Sequence, residues 1–174
     1  RPSNKKCRHC GVDDESLNHI LQSCRTTHGL RIRRHDQVVK KLNGLLSERP
    51  ELTVFSEPRL VAAGQLYKPD LVIVAPEYIY IVDCIITGDS PGCLQRAADL
   101  KITKYRVPAL EALLQSLHGP RTIKHLPFVL SSRGCFLSSN DHVLKLASAK
   151  SRRQEFVVLS MRWTVRIWRF FCMS

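Results

Sequence analysis

Acidic side chains are scarce in this chain: 15 Asp and Glu stand against 27 Lys and Arg in 174 residues. The formal net charge is +12 and the isoelectric point about 9.7. Such an excess raises the local concentration of polyanions, which directs attention to nucleic acid or an anionic membrane surface. No apolar run has the length of an uncharged membrane span. The longest candidate, residues 155–174, is interrupted by Arg162, Arg166 and Arg169, so no membrane partner is expected. A secretory signal and an Asn-x-Ser/Thr acceptor are both missing, which argues against a disulfide framework for the seven cysteines. Internal repeats and low-complexity tracts are absent as well. A starting Met is also lacking; Arg1 in its place reads as a fragment of something longer. What is present is an ordinary hydrophobic share of 44%, enough for one medium domain and a small satellite.

The cysteines fall in two groups. Cys84, Cys93, Cys135 and Cys172 are scattered through apolar segments and read as small core residues in a reducing compartment. Cys7, Cys10 and Cys24 cluster in a polar stretch, and His19 completes the pattern Cys-x2-Cys-x8-His-x4-Cys. Three thiolates and one imidazole are a tetrahedral zinc set, and a two-residue gap lets both cysteines of one turn face the same ion. Gly11 gives the backbone freedom to fold back after Cys10. All four positions are filled by protein, so the zinc is expected to be structural. His9 and His28 are the alternatives to His19, ranked below it.

Hydrophobic spacing divides the remainder. Residues 1–29 read as the knuckle, 30–36 as a basic linker, 37–150 as the core of the main domain and 151–174 as a basic aromatic tail. Val38, Val39, Leu42, Leu45 and Leu46 predict a helix that Pro50 stops. Strands are predicted at 52–55, extending towards Val61, at 71–74 and at 78–86, the last long and buried. After a break at Gly88–Gly92, a helix runs from Cys93 through Lys104, with Pro108 kinking or splitting it before Leu110, Leu113, Leu114 and Leu117. A further strand at 126–130, a loop at 131–134 and a helix at 141–150 follow. The tail from Phe156 fits strand, helix or both. This order predicts an α/β fold with a mixed sheet flanked by helices.

Chemistry enters at Lys68-Pro69-Asp70. Twelve residues separate Asp70 from Asp83, which interrupts the apolar run Tyr78–Ile86. An acid in so apolar a strand is costly unless neutralised. If 71–74 and 78–86 are neighbours joined by the turn at 75–77, both acids approach one point at a sheet end. Hard oxygen ligands there suit Mg²⁺. Lys101 and Lys104 share one face of the following helix and could point at that site. Bare spacing leaves a second reading level with this one: Asp83 in an ion pair with an arginine, and Asp70 capping a turn after Pro69.

Taken together, these residues resemble the restriction-like endonuclease of type-1 (non-LTR) retrotransposable elements, nearest to those that insert into ribosomal RNA genes. The resemblance rests on Lys68-Pro69-Asp70 with Asp83, on His19-Ile20-Leu21-Gln22-Ser23-Cys24, on Arg34-His35-Asp36, and on Lys101-Ile102-Thr103-Lys104-Tyr105. In that family a CCHC knuckle precedes the nuclease at the C-terminus of a Pol polyprotein, after the reverse transcriptase. The resemblance implies a restriction-endonuclease-like fold behind a zinc knuckle. It implies Asp70 and Asp83 as Mg²⁺-binding catalytic acids and Lys101 or Lys104 as the catalytic lysine. Ile85 stands where ordinary restriction enzymes carry that lysine, so it must come from the helix. Glu57 is the candidate for a further acid, with Glu48 behind it. The implied reaction nicks double-stranded target DNA to prime reverse transcription of the element's RNA, in the nucleus, and admits a dimer for cutting both strands. No polymerase motif occurs in these 174 residues. Arg31, Arg33, Arg34 and His35 are expected to neutralise phosphates. The rival class is a non-catalytic zinc-containing module that only binds nucleic acid.

Overall fold

The computed structural model describes residues 5–174, so residues 1–4 of the predicted knuckle lie outside it. Two helices come first, α1 (Leu17–Gln22) and α2 (His28–Ser47). Six strands follow, interleaved with helices: β1 (Thr53–Ser56), β2 (Leu60–Ala62), β3 (Gln65–Tyr67), β4 (Leu71–Val74), β5 (Tyr78–Thr87) and β6 (Thr122–Ser131). Between β5 and β6 lie α3 (Cys93–Tyr105) and α4 (Pro108–His118). After β6 come α5 (Asn140–Leu146), a 3₁₀ turn at Lys150–Arg152 and α6 (Arg153–Met173).

Four strands form a mixed sheet in the order β1-β4-β5-β6. β4 runs antiparallel to both neighbours, while β5 and β6 pair in parallel across the α3–α4 crossover. The predicted mixed sheet flanked by helices is therefore present. Because successive strand residues face opposite ways, β5 feeds two cores. Tyr80, Val82 and Cys84 join Val38, Leu42, Leu46, Phe128, Leu130 and Phe156 on the α2 side. Ile79 and Ile81 join Val72, Tyr105, Leu110 and Leu114 on the α3–α4 side. Asp83 continues the odd-numbered row, so the pleat turns it towards α3.

Several boundaries differ from the sequence expectation, each for a local reason. The basic run 30–36 is no linker: it lies within the continuous helix α2, whose buried face includes Arg34. The strand predicted to run towards Val61 stops at Ser56, where Glu57 adopts φ 47°. A hairpin, β2–β3, follows instead, turning on Ala63 (φ 48°) and Gly64 (φ 76°). Two consecutive positive φ values are the twist a two-residue hairpin turn needs. The helix expected over 141–150 ends at Leu146. Pro108 splits rather than kinks, occupying the first turn of α4, where its missing N–H costs nothing. The tail resolves as the single helix α6, burying Phe156, Trp163, Ile167 and Phe171.

Candidate active site and metal centre

At the N-terminus the chain turns at Gly11 (φ 65°), whose amide donates to the Cys7 carbonyl at 2.8 Å. Ser16 then caps α1, its hydroxyl accepting from the His19 amide at 3.1 Å. This brings Cys7, Cys10, His19 and Cys24 together, with ligand atoms all within 4.8 Å of one another. Cys7 and Cys24 Sγ lie 3.8 Å apart, and Cys10 Sγ lies 3.3 Å from His19 Nε2. The opposite ring nitrogen, His19 Nδ1, is held by Asp13 Oδ2 at 3.2 Å and Ser23 Oγ at 3.1 Å. A proton fixed on Nδ1 leaves the Nε2 lone pair facing the sulfurs, as a metal ligand requires. Backbone amides, that of Val12 foremost, lower the Cys10 thiol to about 6, favouring the thiolate. The cluster can hold a metal ion, and its donor set is one that zinc takes. His9 is engaged elsewhere, its Nε2 2.7 Å from the Phe171 carbonyl, and His28 is exposed outside the cluster.

This unit is bolted to the rest. Cys7, Ile20, Leu21 and Cys24 pack with Ile167 and Phe171 of α6. From α2, Arg34 Nη2 donates to the Leu21 carbonyl (3.1 Å) and to Gln22 Oε1 (3.3 Å). Arg31 donates to the carbonyls of Gln22 and Cys24. Gln22 Nε2 in turn donates to the Thr87 carbonyl at the end of β5 (2.9 Å). Two of the four basic side chains predicted to meet phosphate, Arg31 and Arg34, thus bond at the C-terminal end of α1. Arg34 is 2% exposed, and burial, with the charge of Arg31, lowers its guanidinium to about 10.

The two acids meet at the sheet end. Leu71 pairs with Val82, and the register continues outward to bring Asp70 opposite Asp83. The Asp70 amide donates to Asp83 Oδ1 at 3.3 Å, and the Cys84 amide to Asp70 Oδ2 at 2.6 Å. Each carboxylate has a cationic neighbour. Lys101 Nζ, on α3, lies 2.5 Å from Asp83 Oδ2. His35 Nε2, on α2, lies 3.3 Å from Asp70 Oδ2 and 3.3 Å from the Cys84 carbonyl. The ion-pair partner of Asp83 is a lysine, not the arginine that the second reading of the spacing expected.

The charges follow from these contacts. Burial works to raise Asp70, but hydrogen bonding and charge from His35 outweigh it, and the carboxyl ends below its ordinary range. The same hydrogen bond raises His35 to about 9, so it carries a proton at neutral pH. Asp83 is raised by burial and by the charge of Asp70, with Lys101 opposing. Adjacent carboxylates kept at different proton affinities recur at functional sites.

Lys104 does not reach an acid. Its Nζ donates to Tyr105 Oη at 2.8 Å, and that hydroxyl donates to the Lys68 carbonyl at 2.8 Å. Tyr105, 1% exposed, thereby ties α3 to the residue two before Asp70. Glu57 is near in backbone only: its amide donates to the Asp70 carbonyl (2.8 Å), while its side chain is exposed. Among the described residues, the only three or more His, Cys, Asp or Glu ligand atoms gathered within 4.8 Å are those of the N-terminal cluster, so Glu57 adds no third acid there. Glu48 stands 13 positions beyond His35 on α2, about 20 Å along the axis. The Cys84 carbonyl and the Asp70 contact of His35 were missed from sequence. Only the triplet Arg34-His35-Asp36 hinted at the latter.

A mixed α/β domain with a Cys₃His cluster able to hold a metal ion and a buried acid pair is the class this chain represents. No family model matches it. Among proteins of known identity, it is similar to the retrovirus-related Pol polyprotein from type-1 retrotransposable element R2 of Popillia japonica. One such polyprotein is 35% identical over 159 residues, 90% of this chain, and another 30% identical over 173 residues, 98% of this chain. The polyprotein from type-2 retrotransposable element R2DM of Drosophila melanogaster is 36% identical over 112 residues, 64% of this chain. The chain is therefore homologous to part of the R2 Pol polyproteins over most of its own length. It spans 32% and 28% of the two Popillia proteins and 10% of the Drosophila one.

Proposed function

We propose that this chain is a Mg²⁺-dependent DNA endonuclease that nicks double-stranded target DNA for a retrotransposable element. The observation that carries the reading is the pairing of Asp70 with Asp83 at one sheet end, with Lys101 delivered to Asp83 from α3. The donor set fits a hard divalent cation: Asp70 Oδ2, the Asp83 carboxylate and the Cys84 carbonyl are all oxygens at one end of β5. A bound Mg²⁺ would polarise the phosphate and stabilise the leaving 3′ oxygen.

The protein's own contribution is placement. Asp70 and Asp83 would hold the cation, and their buried surroundings would keep its field little diluted by water. Lys101, in contact with Asp83, would orient the attacking water or balance charge on the phosphate. Tyr105 keeps Lys104 aside and the approach to Asp70 fixed. In this reading Lys101, rather than Lys104, is the catalytic lysine. The Cys₃His cluster holds structural zinc, and exposed Arg33 is left as the phosphate-neutralising residue of the basic run. Within a full polyprotein, with element RNA and its polymerase, the nick would prime reverse transcription in the nucleus.

Nicking of supercoiled plasmid by the wild type in Mg²⁺ or Mn²⁺, lost in Asp70→Ala and Asp83→Ala with DNA binding retained, supports the enzyme. Inactivity of the wild type with both ions, alone and within a full polyprotein, favours the non-catalytic nucleic-acid-binding module.

A further inference from the structure

The acid pair is already neutralised by its own neighbours. Two carboxylates, Asp70 and Asp83, face two side-chain cations, His35 and Lys101, each on its own acid. The two partners differ in what else they touch. Lys101 reaches a carboxylate alone. His35 Nε2 lies between two oxygens of different origin, Asp70 Oδ2 and the Cys84 carbonyl, both at 3.3 Å. Those are two of the three oxygens at this end of β5, so the ring occupies the space between two oxygens that a bound cation would use. The Cys84 amide, by contrast, donates to Asp70 Oδ2 from within the sheet and leaves the outer side of that oxygen to His35.

Nothing about this position is incidental to α2. The preceding residue, Arg34, is buried and anchored on the Leu21 carbonyl, which fixes the rotation of the helix and presents residue 35 to the sheet. His35 itself remains partly exposed, and its Nδ1 faces the exposed carboxylate of Asp36 at 3.4 Å. The ring, 31% exposed, therefore already has an outward carboxylate within reach.

Resting on the reading that Asp70 and Asp83 bind a divalent ion, we infer that His35 holds that ion's place between Asp70 and the Cys84 carbonyl and swings aside when it binds. His35 is then a positioning residue. It keeps the oxygens pre-spaced and their charge balanced in the metal-free protein, at the cost of competing with the metal. An ion that must displace a side chain already seated on its ligands binds more weakly by the free energy of the contacts displaced.

The test is Mn²⁺ binding to the full chain with the Cys₃His cluster zinc-loaded, followed by the loss of the free-ion electron paramagnetic resonance signal. His35→Ala is expected to bind Mn²⁺ about tenfold tighter, within the range of typical coupling between sites. His35→Gln, which keeps a donor but no charge, shifts the same way by less. Thermal melts confirm that both variants are folded. In Mg²⁺ titrations of the wild type, the ring ¹⁵N signals of His35 move to those of a solvent-facing imidazole. Unchanged or weaker Mn²⁺ binding in His35→Ala, while Asp70→Asn abolishes it, overturns the inference and leaves the metal site standing. Wild-type affinity in Asp70→Asn and Asp83→Asn overturns the site itself.

Discussion

Lys101 Nζ contacts Asp83 Oδ2 at 2.5 Å, although the two lie on different elements, α3 and β5, and 18 positions apart in the chain. One helical turn on, Lys104 turns instead to Tyr105. The two lysines, indistinguishable by sequence, therefore part company. Lys101→Met is expected to reduce plasmid nicking about 10²–10³-fold, the usual cost of removing one transition-state donor. Lys104→Met should cost about tenfold or less in the same assay. Equal losses would show that both lysines, or neither alone, serve the reaction.

The His35–Asp70 pair predicts a pH profile for stability. The folded-state His35 is raised from 6.5 to about 9, so its contribution is complete below pH 6.5 and lost as pH rises through about 9. Asp70 is lowered, so its contribution is present above the ordinary carboxyl value of 3.8 and lost as pH falls below it. The stabilisation is thus greatest between those limits. Melting temperatures of wild type and His35→Gln should differ most near pH 5–6 and converge towards pH 10. A difference that grows with pH would refute the assignment.

Metal removal should loosen more than the N-terminus. The Cys₃His cluster shares its packing with Ile167 and Phe171, so stripping it with a chelator frees one end of α6 as well. Expected is faster amide exchange in residues 7–24 and 167–173 together, reversed by added zinc, with one zinc per chain by elemental analysis. Exchange confined to 7–24 would mean that α6 holds without the cluster.

At the outer edge of the sheet, Asn140 plays the part of a missing strand. Its Oδ1 accepts from the Val129 amide at 2.7 Å and its Nδ2 donates to the Val129 carbonyl at 2.6 Å, both fully buried. Asn140→Leu strands both groups without water, at about 1–3 kcal/mol each. Urea unfolding should register a loss of about 2–5 kcal/mol. A loss under 1 kcal/mol would mean that the edge finds other partners.

What could be read in advance was whatever repeats along the chain or sits at a fixed offset. The cysteine spacing named the metal cluster because a two-residue gap has a geometric meaning of its own. The run Tyr78–Ile86 announced a buried strand, and the acid inside it a compensating partner, which Lys101 supplies. Illegible were contacts that depend on which way a helix is rotated. Arg31 and Arg34 read as phosphate-seeking because charge runs are usually solvated, yet the C-terminal end of α1 offers them unsatisfied carbonyls. His35 was assigned to nucleic acid for the same reason. The β2–β3 hairpin escaped because its turn carries Ala63 in place of the more telling Asn or Asp before Gly64. The tail could not be decided while two apolar periods overlapped in it, and packing against Phe128 and Cys24 settled it as α6.

Because α2 runs unbroken from the foot of the Cys₃His cluster to the strand end that carries the acids, the two cannot be aimed independently. A tether of variable length would leave their separation free. A stiff rod instead sets a constant offset between the cluster and the acids.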